Sequence, residues 1–212
     1  MERNEAVVKL KKLQGCDLRQ LANEYSLTVW KAGRLNKGWA GHVLERYLGL
    51  PLNSNQSPDF GTWELKIIPL KRLRSGIIVP KETMAITMIN ATDILQKEFE
   101  QSHLLAKLRK MIVCARIFES NLEESSLLEK VKMFNLSNPV IYNQVKTDYD
   151  LVRETIKQKG FPSLTGKLGI WVQPRTKGAG YGSTTRAFYA RKNFINYILN
   201  SADEFDQDEF DQ

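Results

Sequence analysis

Cysteine is scarce in this chain of 212 residues, which has only Cys16 and Cys114. Two are too few for a disulfide framework and lie too far apart for paired zinc ligands, so both are expected to be reduced and structural. Long apolar runs are also missing. The longest, such as residues 111–115 and 168–172, extend about five residues where a membrane-spanning helix needs roughly 20. The opening Met-Glu-Arg-Asn-Glu has no basic-then-apolar stretch and no small-residue cleavage site, which predicts a cytoplasmic protein with no membrane partner. Internal repeats and the glycine-rich dinucleotide fingerprint are absent as well. What the chain does have is 42% hydrophobic residues, enough to close a core and to exclude disorder as its main state. Its length fits one domain, or two small lobes sharing a cleft.

Charge is plentiful but unevenly placed. Lys and Arg number 31 against 24 Asp and Glu, a net +7, yet six of those acids fall in the last ten residues, leaving +13 on residues 1–202. A body this basic attracts polyanions and suits a nucleic-acid partner, although surplus lysine also serves simply as a solvated face. Residues 1–202 are therefore read as one domain and residues 203–212 as an acidic, low-complexity, disordered tail. That tail is either a solubilising end or a segment that binds a partner or repels DNA.

Hydrophobic periodicity predicts helices over residues 5–13 and 18–25, the second capped by Asp17, and a third over residues 39–48 ended by Gly49 and Pro51. Strands are expected over residues 60–69, 84–90 and 111–119, forming a sheet of at least three. Beyond Ser120 the pattern is less regular. A helix marked by Val145, Tyr149, Val152 and Ile156 stops at Gly160. A strand over residues 168–173 then runs into a basic glycine-containing loop, a short strand around Phe188 and a last helix over residues 192–200. The mixture is α/β or α+β.

The segment Pro58-Asp59-Phe60-Gly61-Thr62-Trp63-Glu64-Leu65-Lys66 sets two carboxylates and an ammonium on neighbouring positions. Like charges this close repel unless a cation lies between them, and hard oxygen ligands favour Mg²⁺, which polarises a phosphate oxygen while Lys66 orients or deprotonates the attacking water. That arrangement suits phosphodiester hydrolysis. A solvated strand face with an i,i+2 ion pair is the plainer reading of the same triplet.

Pro-Asp followed by Glu-x-Lys resembles the PD-(D/E)xK nuclease signature. The wider match is to the MutH family, the mismatch-repair endonucleases and the GATC-specific type II restriction enzymes that share their fold. Residues 36–41 (Asn-Lys-Gly-Trp-Ala-Gly) with Glu45, then Asp59, Glu64-Leu65-Lys66 and Pro69, residues 81–90, residues 102–107, and Arg186-Ala187-Phe188-Tyr189-Ala190-Arg191-Lys192-Asn193-Phe194 match in order, so the resemblance covers residues 36–200. It implies a restriction-endonuclease-like α/β fold, a central mixed sheet flanked by helices, with two lobes around a DNA cleft. It further implies Asp59, Glu64 and Glu45 as Mg²⁺ ligands, Lys66 acting on water, and Lys37 and Lys107 as catalytic-site lysines contacting phosphate. On periodicity alone Glu45 is a surface residue and the lysines are solvated. One departure stands out: four residues separate Asp59 from Glu64 where the family has six, and only a tighter hairpin brings both to one cation. His103 matches a family histidine but stays outside the expected site.

The loop after Gln173 is the expected base reader, because Arg175 and Lys177 carry donors for guanine O6 and N7. The resemblance carries Gln173, Pro174 and Arg175 onto recognition positions and Tyr189 onto the tyrosine that senses adenine methylation; unaided, Tyr189 reads as a core aromatic. The expected partner is double-stranded DNA at GATC or a close variant. Residues 81–90 and 176–181 tilt the reading toward a restriction enzyme, which cuts both strands as a transient homodimer. The alternative is a monomeric MutH-like nickase that needs a MutL-like activator. A catalytically inactive DNA-binding module is the rival from another class, and an RNA-directed nuclease ranks last.

Overall fold

The computed structural model describes residues 1–49, 61–178 and 184–205, and the molecule is organised around one mixed four-stranded sheet. Its strands are β3 (Glu64–Arg72), β4 (Ile78–Pro80), β6 (Lys110–Ile117) and β7 (Leu128–Asn135), in the order β4-β3-β6-β7. β3 and β6 run parallel, with Glu64 opposite Met111, and the other pairs are antiparallel. β6 shows why this sheet lies at the centre. Met111, Val113, Ala115 and Ile117 enter one apolar core, while Ile112 and Cys114 enter another on the opposite face. A strand buried on both faces has no polar side to alternate with, hence its continuous apolar run. Cys114 is fully buried, which pushes its thiol pKa up and keeps it protonated, as expected for a structural cysteine.

One face of the sheet is covered by α1 (Arg3–Lys11), α2 (Leu18–Glu24) and α3 (Trp39–Tyr47), whose Leu10, Leu18, Trp39 and Val43 pack on Trp63, Leu65 and Ile112. Asp17 caps α2 as expected, its carboxylate accepting the Arg19 N–H at 2.9 Å. A short hairpin, β1 (Trp30–Lys31) with β2 (Arg34–Leu35), precedes α3. The other face meets α5 (His103–Arg109), α6 (Pro139–Lys159), α7 (Lys192–Asn200) and a second, three-stranded sheet. The latter has the order β5-β9-β8, from β5 (Met84–Ile89), β8 (Val172–Thr176) and β9 (Arg186–Ala190). A short helix, α4 (Ala91–Gln96), leads from β5 toward α5.

Several expectations change here. The strand at residues 84–90 belongs to the second sheet and not beside β3. β7 was not foreseen. The strand expected over residues 168–173 begins only at Val172, because the N–H groups of Ile170, Trp171 and Val172 all donate to the buried Asp148 carboxylate of α6, at 2.7–2.9 Å. Gly169 turns the chain into that clamp with φ +78°, and a Cβ there would lie 1.9 Å from the Val172 carbonyl oxygen. Asp203–Phe205, counted in the sequence with the acidic tail, are held against the body. Asp203 pairs with Lys11 and Lys132 and accepts the Met133 N–H, and the Glu204 carbonyl accepts from Arg3. No helix among the described residues is long and apolar enough to cross a membrane.

Candidate active site

Glu64 opens β3 directly after the buried Trp63 and is itself 0% exposed. A carboxylate buried there needs polar partners, and Lys66 and Lys107 are among them. Lys66, two residues on and on the same face of β3, bonds Glu64 Oε1. Lys107 reaches the same oxygen at 3.0 Å from α5, whose N-cap Ser102 accepts the Leu105 N–H. Lys107 is 6% exposed, so this is an interior ion cluster and not the solvated i,i+2 pair that the triplet alone allows. β4 pairs only with Leu70, Lys71 and Arg72 of β3, so among the described residues no strand flanks that side of Glu64 and Lys66. Among the described residues, the charged end of β3 therefore lies at a sheet edge without a strand partner on that side.

Glu45 is carried by α3, which packs on the opposite face of β3. In α3 the Cβ position of Gly41 lies 3.8 Å from Ile67, and Trp39 stacks with Arg116, the residue paired with Pro69. α3 thus runs antiparallel to β3. Glu45, one turn beyond Gly41 and about 6 Å further along the axis, falls at the level of the start of β3, where it is half-buried. Lys37 is exposed in the turn before α3. Asp59 lies outside the described residues, and among those described no three His, Cys, Asp or Glu side chains gather as a metal site. The Glu64 carboxylate is nonetheless the kind of hard oxygen donor that suits a hard cation.

The expected recognition residues occupy the second sheet. Gln173 and Pro174 are buried in β8, the Gln173 Oε1 packing where Gly166 has no side chain. Arg175 is exposed and donates to Thr83 Oγ1 at 2.8 Å, with its guanidinium 5.7 Å from the Tyr189 ring centroid. Tyr189 is half-buried in β9, and its hydroxyl pKa is raised by desolvation, against the opposing influence of Arg175. It is therefore neither a pure core aromatic nor a fully displayed one. Lys177 is exposed by area, yet its ammonium pKa is pushed down, first by desolvation and then by repulsion from Lys66 and Lys107. That repulsion links the loop after β8 to the β3 cluster, a juxtaposition that the sequence placed in two separate sites. His103, at the first turn of α5, lies 3.6 Å from Asp93, away from Glu64.

The residue that sequence reasoning missed is Thr83. It matched the family in order but received no role, since its contact spans 92 positions and leaves no local pattern.

Glu-x-Lys on a strand of a mixed sheet, cross-linked by a helix lysine, marks the class: a restriction-endonuclease-like α/β fold. Comparisons with known proteins narrow it. A family model described as DNA mismatch repair enzyme MutH matches residues 48–138. The DNA mismatch repair protein MutH of Vibrio cholerae is 28% identical, covering 92% of this chain and 94% of that protein. The type II restriction enzyme Sau3AI of Staphylococcus aureus is 24% identical over 77% of this chain, which spans 37% of that longer protein. A solved complex of the restriction endonuclease MvaI with its cognate DNA aligns over 93% of this chain and 97% of that one, at TM-score 0.39 and 12% identity. The chain is thus similar to the MutH family across its central segment and to MutH proteins over most of its length.

Proposed function

We propose that this protein is a Mg²⁺-dependent DNA endonuclease that hydrolyses phosphodiester bonds at GATC or a close variant, in the manner of a type II restriction enzyme. The observation that carries the reading is the buried Glu64 carboxylate held by Lys66 and Lys107 at the start of β3. In this reading Glu64, Asp59 and Glu45 hold the metal, which supplies Lewis-acid polarisation of the scissile phosphate. Lys66, as an ammonium, orients the attacking water and stabilises the hydroxide left when its proton passes to bulk solvent, while Lys107, with Lys37 further out, draws the phosphate toward Glu64. Lys177, within electrostatic range of Lys66 and Lys107, adds positive charge where the phosphodiester becomes more anionic. Arg175 and Tyr189 face the bases.

A second reading, a nicking endonuclease of mismatch repair acting on the unmethylated strand with a MutL-like activator, draws support from the length match to Vibrio MutH against the partial match to Sau3AI. One assay tests both. Unmethylated supercoiled plasmid with Mg²⁺ is expected to become linear with wild-type protein and to stay supercoiled with Glu64→Ala. Nicked circles that appear only with an added MutL-type protein select the repair role. DNA binding without cleavage in either Mg²⁺ or Mn²⁺ defeats the enzyme reading and leaves a binding module.

A further inference from the structure

Arg175 is an exposed arginine, yet its side chain is held at three points along its length. The stem lies beside Gly166, where an added Cβ would come within 3.6 Å of Arg175 Cγ. The guanidinium then crosses the Tyr189 ring, 5.7 Å from the centroid, and one of its N–H groups ends on Thr83 Oγ1 at 2.8 Å. Strand register explains this path. Tyr189 of β9 stands opposite Gln173 on one side and Ala85 on the other, so residues 175, 189 and 83 lie on one face along a diagonal across β8, β9 and the chain entering β5. A long, flexible side chain laid across three strands has already surrendered most of its rotamer freedom before any ligand arrives. Such preorganisation strengthens binding without adding a contact. The guanidinium has five donors, and the Thr83 bond uses one, leaving a fork for bidentate contact with a base edge.

We propose that Thr83 is a positioning residue for sequence discrimination: its hydroxyl fixes the Arg175 guanidinium over the Tyr189 ring in the pose that reads a base of the DNA target. Thr83 touches no DNA in this arrangement and acts only through Arg175. The inference rests on the endonuclease reading above and adds to it a residue that the family resemblance left without a role. Thr83 sits just before β5, half-buried, and its side chain contributes to neither apolar core, so exchanging its hydroxyl for a methyl leaves the packing intact.

The test compares kcat/KM in Mg²⁺ on two short duplexes, one holding GATC and one with its guanine replaced. Wild type is expected to prefer the first. Thr83→Val should lower that preference by about tenfold, the scale of one lost hydrogen bond to a charged group, with the loss entirely in kcat/KM for GATC. Thr83→Ser, which keeps the acceptor, should restore it. In an Arg175→Ala background Thr83→Val should change nothing further, and both variants should unfold at the wild-type temperature. An unchanged preference in Thr83→Val, or losses that multiply between the two positions, overturns the proposal. Wild-type protein that cuts both duplexes alike overturns the recognition reading itself, a failure that shows before any Thr83 variant is made.

Discussion

In the proposed reaction Glu64 is the residue on which most of the chemistry converges, and its environment makes two effects separable. Its carboxylate is wholly buried, and Lys66 and Lys107 both meet it on Oε1. Glu64→Gln keeps the shape but leaves Lys107, 6% exposed, without its counter-charge. Stability should fall by about 2 kcal/mol in chemical denaturation, less than for a fully broken buried pair because Lys66 retains some access to water. Cleavage should fall by about 10³-fold or more, the loss expected when a metal ligand goes. DNA affinity should hold or rise, since a negative charge near the phosphate path has been removed. Affinity that falls together with cleavage would make Glu64 a structural group only. The Glu64 and Lys66 pairing is legible in the sequence because two positions along a strand share a face. Lys107, 43 positions away, is not, and only resemblance nominated it. Nor does any spacing rule disclose that Glu64 is interior, because that depends on tertiary contacts such as the Lys107 bond from α5.

At the scale of elements, Asp148 does most to place β8, the strand proposed to carry the base reader. One carboxylate on α6 accepts three consecutive N–H groups and so ends the loop before β8 at a fixed point. Asp148→Ala strands those donors in a buried setting, and at about 1 kcal/mol each the cost should approach 3 kcal/mol in denaturant unfolding. Gly169→Ala should be comparably damaging, because the glycine's φ of +78° and the 1.9 Å approach to the Val172 carbonyl leave no room for a methyl. A loss below about 1 kcal/mol in both variants would mean that the clamp does not hold β8. These facts also explain the misplaced start of that strand: residues 168–171 have strand-like apolarity, but Ile170 and Trp171 give their N–H groups to Asp148 and Leu168 gives its own to the Thr165 carbonyl. β7 escaped notice for a different reason. The ladder shifts register between Ala115 and Arg116, so the buried Leu128 and Val131 are separated by two residues and the alternation of period two is broken. α6 was foreseen only from Val145, although Asn138-Pro139 carries a start signal. Asn138 caps the helix by accepting the Val140 N–H at 3.0 Å, with Pro139 in the first turn.

At the scale of the whole molecule, the two ends of the described chain meet on the flank of β7. Arg3, 1% exposed, donates to the Phe134 carbonyl and to the Glu204 carbonyl. Asp203 receives Lys11 at 2.9 Å, the Met133 N–H at 2.9 Å and Lys132 at 3.4 Å. Partial burial alone would raise the pKa of Asp203, but these three donors outweigh it and hold the carboxyl below its ordinary 3.8. A carboxylate with a depressed folded-state pKa stabilises the protein fully above its unfolded value. That contribution disappears as the pH falls through the folded value. The Asp203 tie should therefore be complete at neutral pH, begin to fade below about pH 4 and be gone in stronger acid. Asp203→Asn should lower stability by about 1 kcal/mol at pH 7, a modest figure because the side chain remains 20% exposed. The gap between variant and wild type, followed as Tm from pH 7 to pH 2, should close at the acid end. A gap that persists there would locate the effect in the hydrogen bond to Met133, which the amide of Asn retains only weakly, and would remove charge from the account of how the two ends are joined.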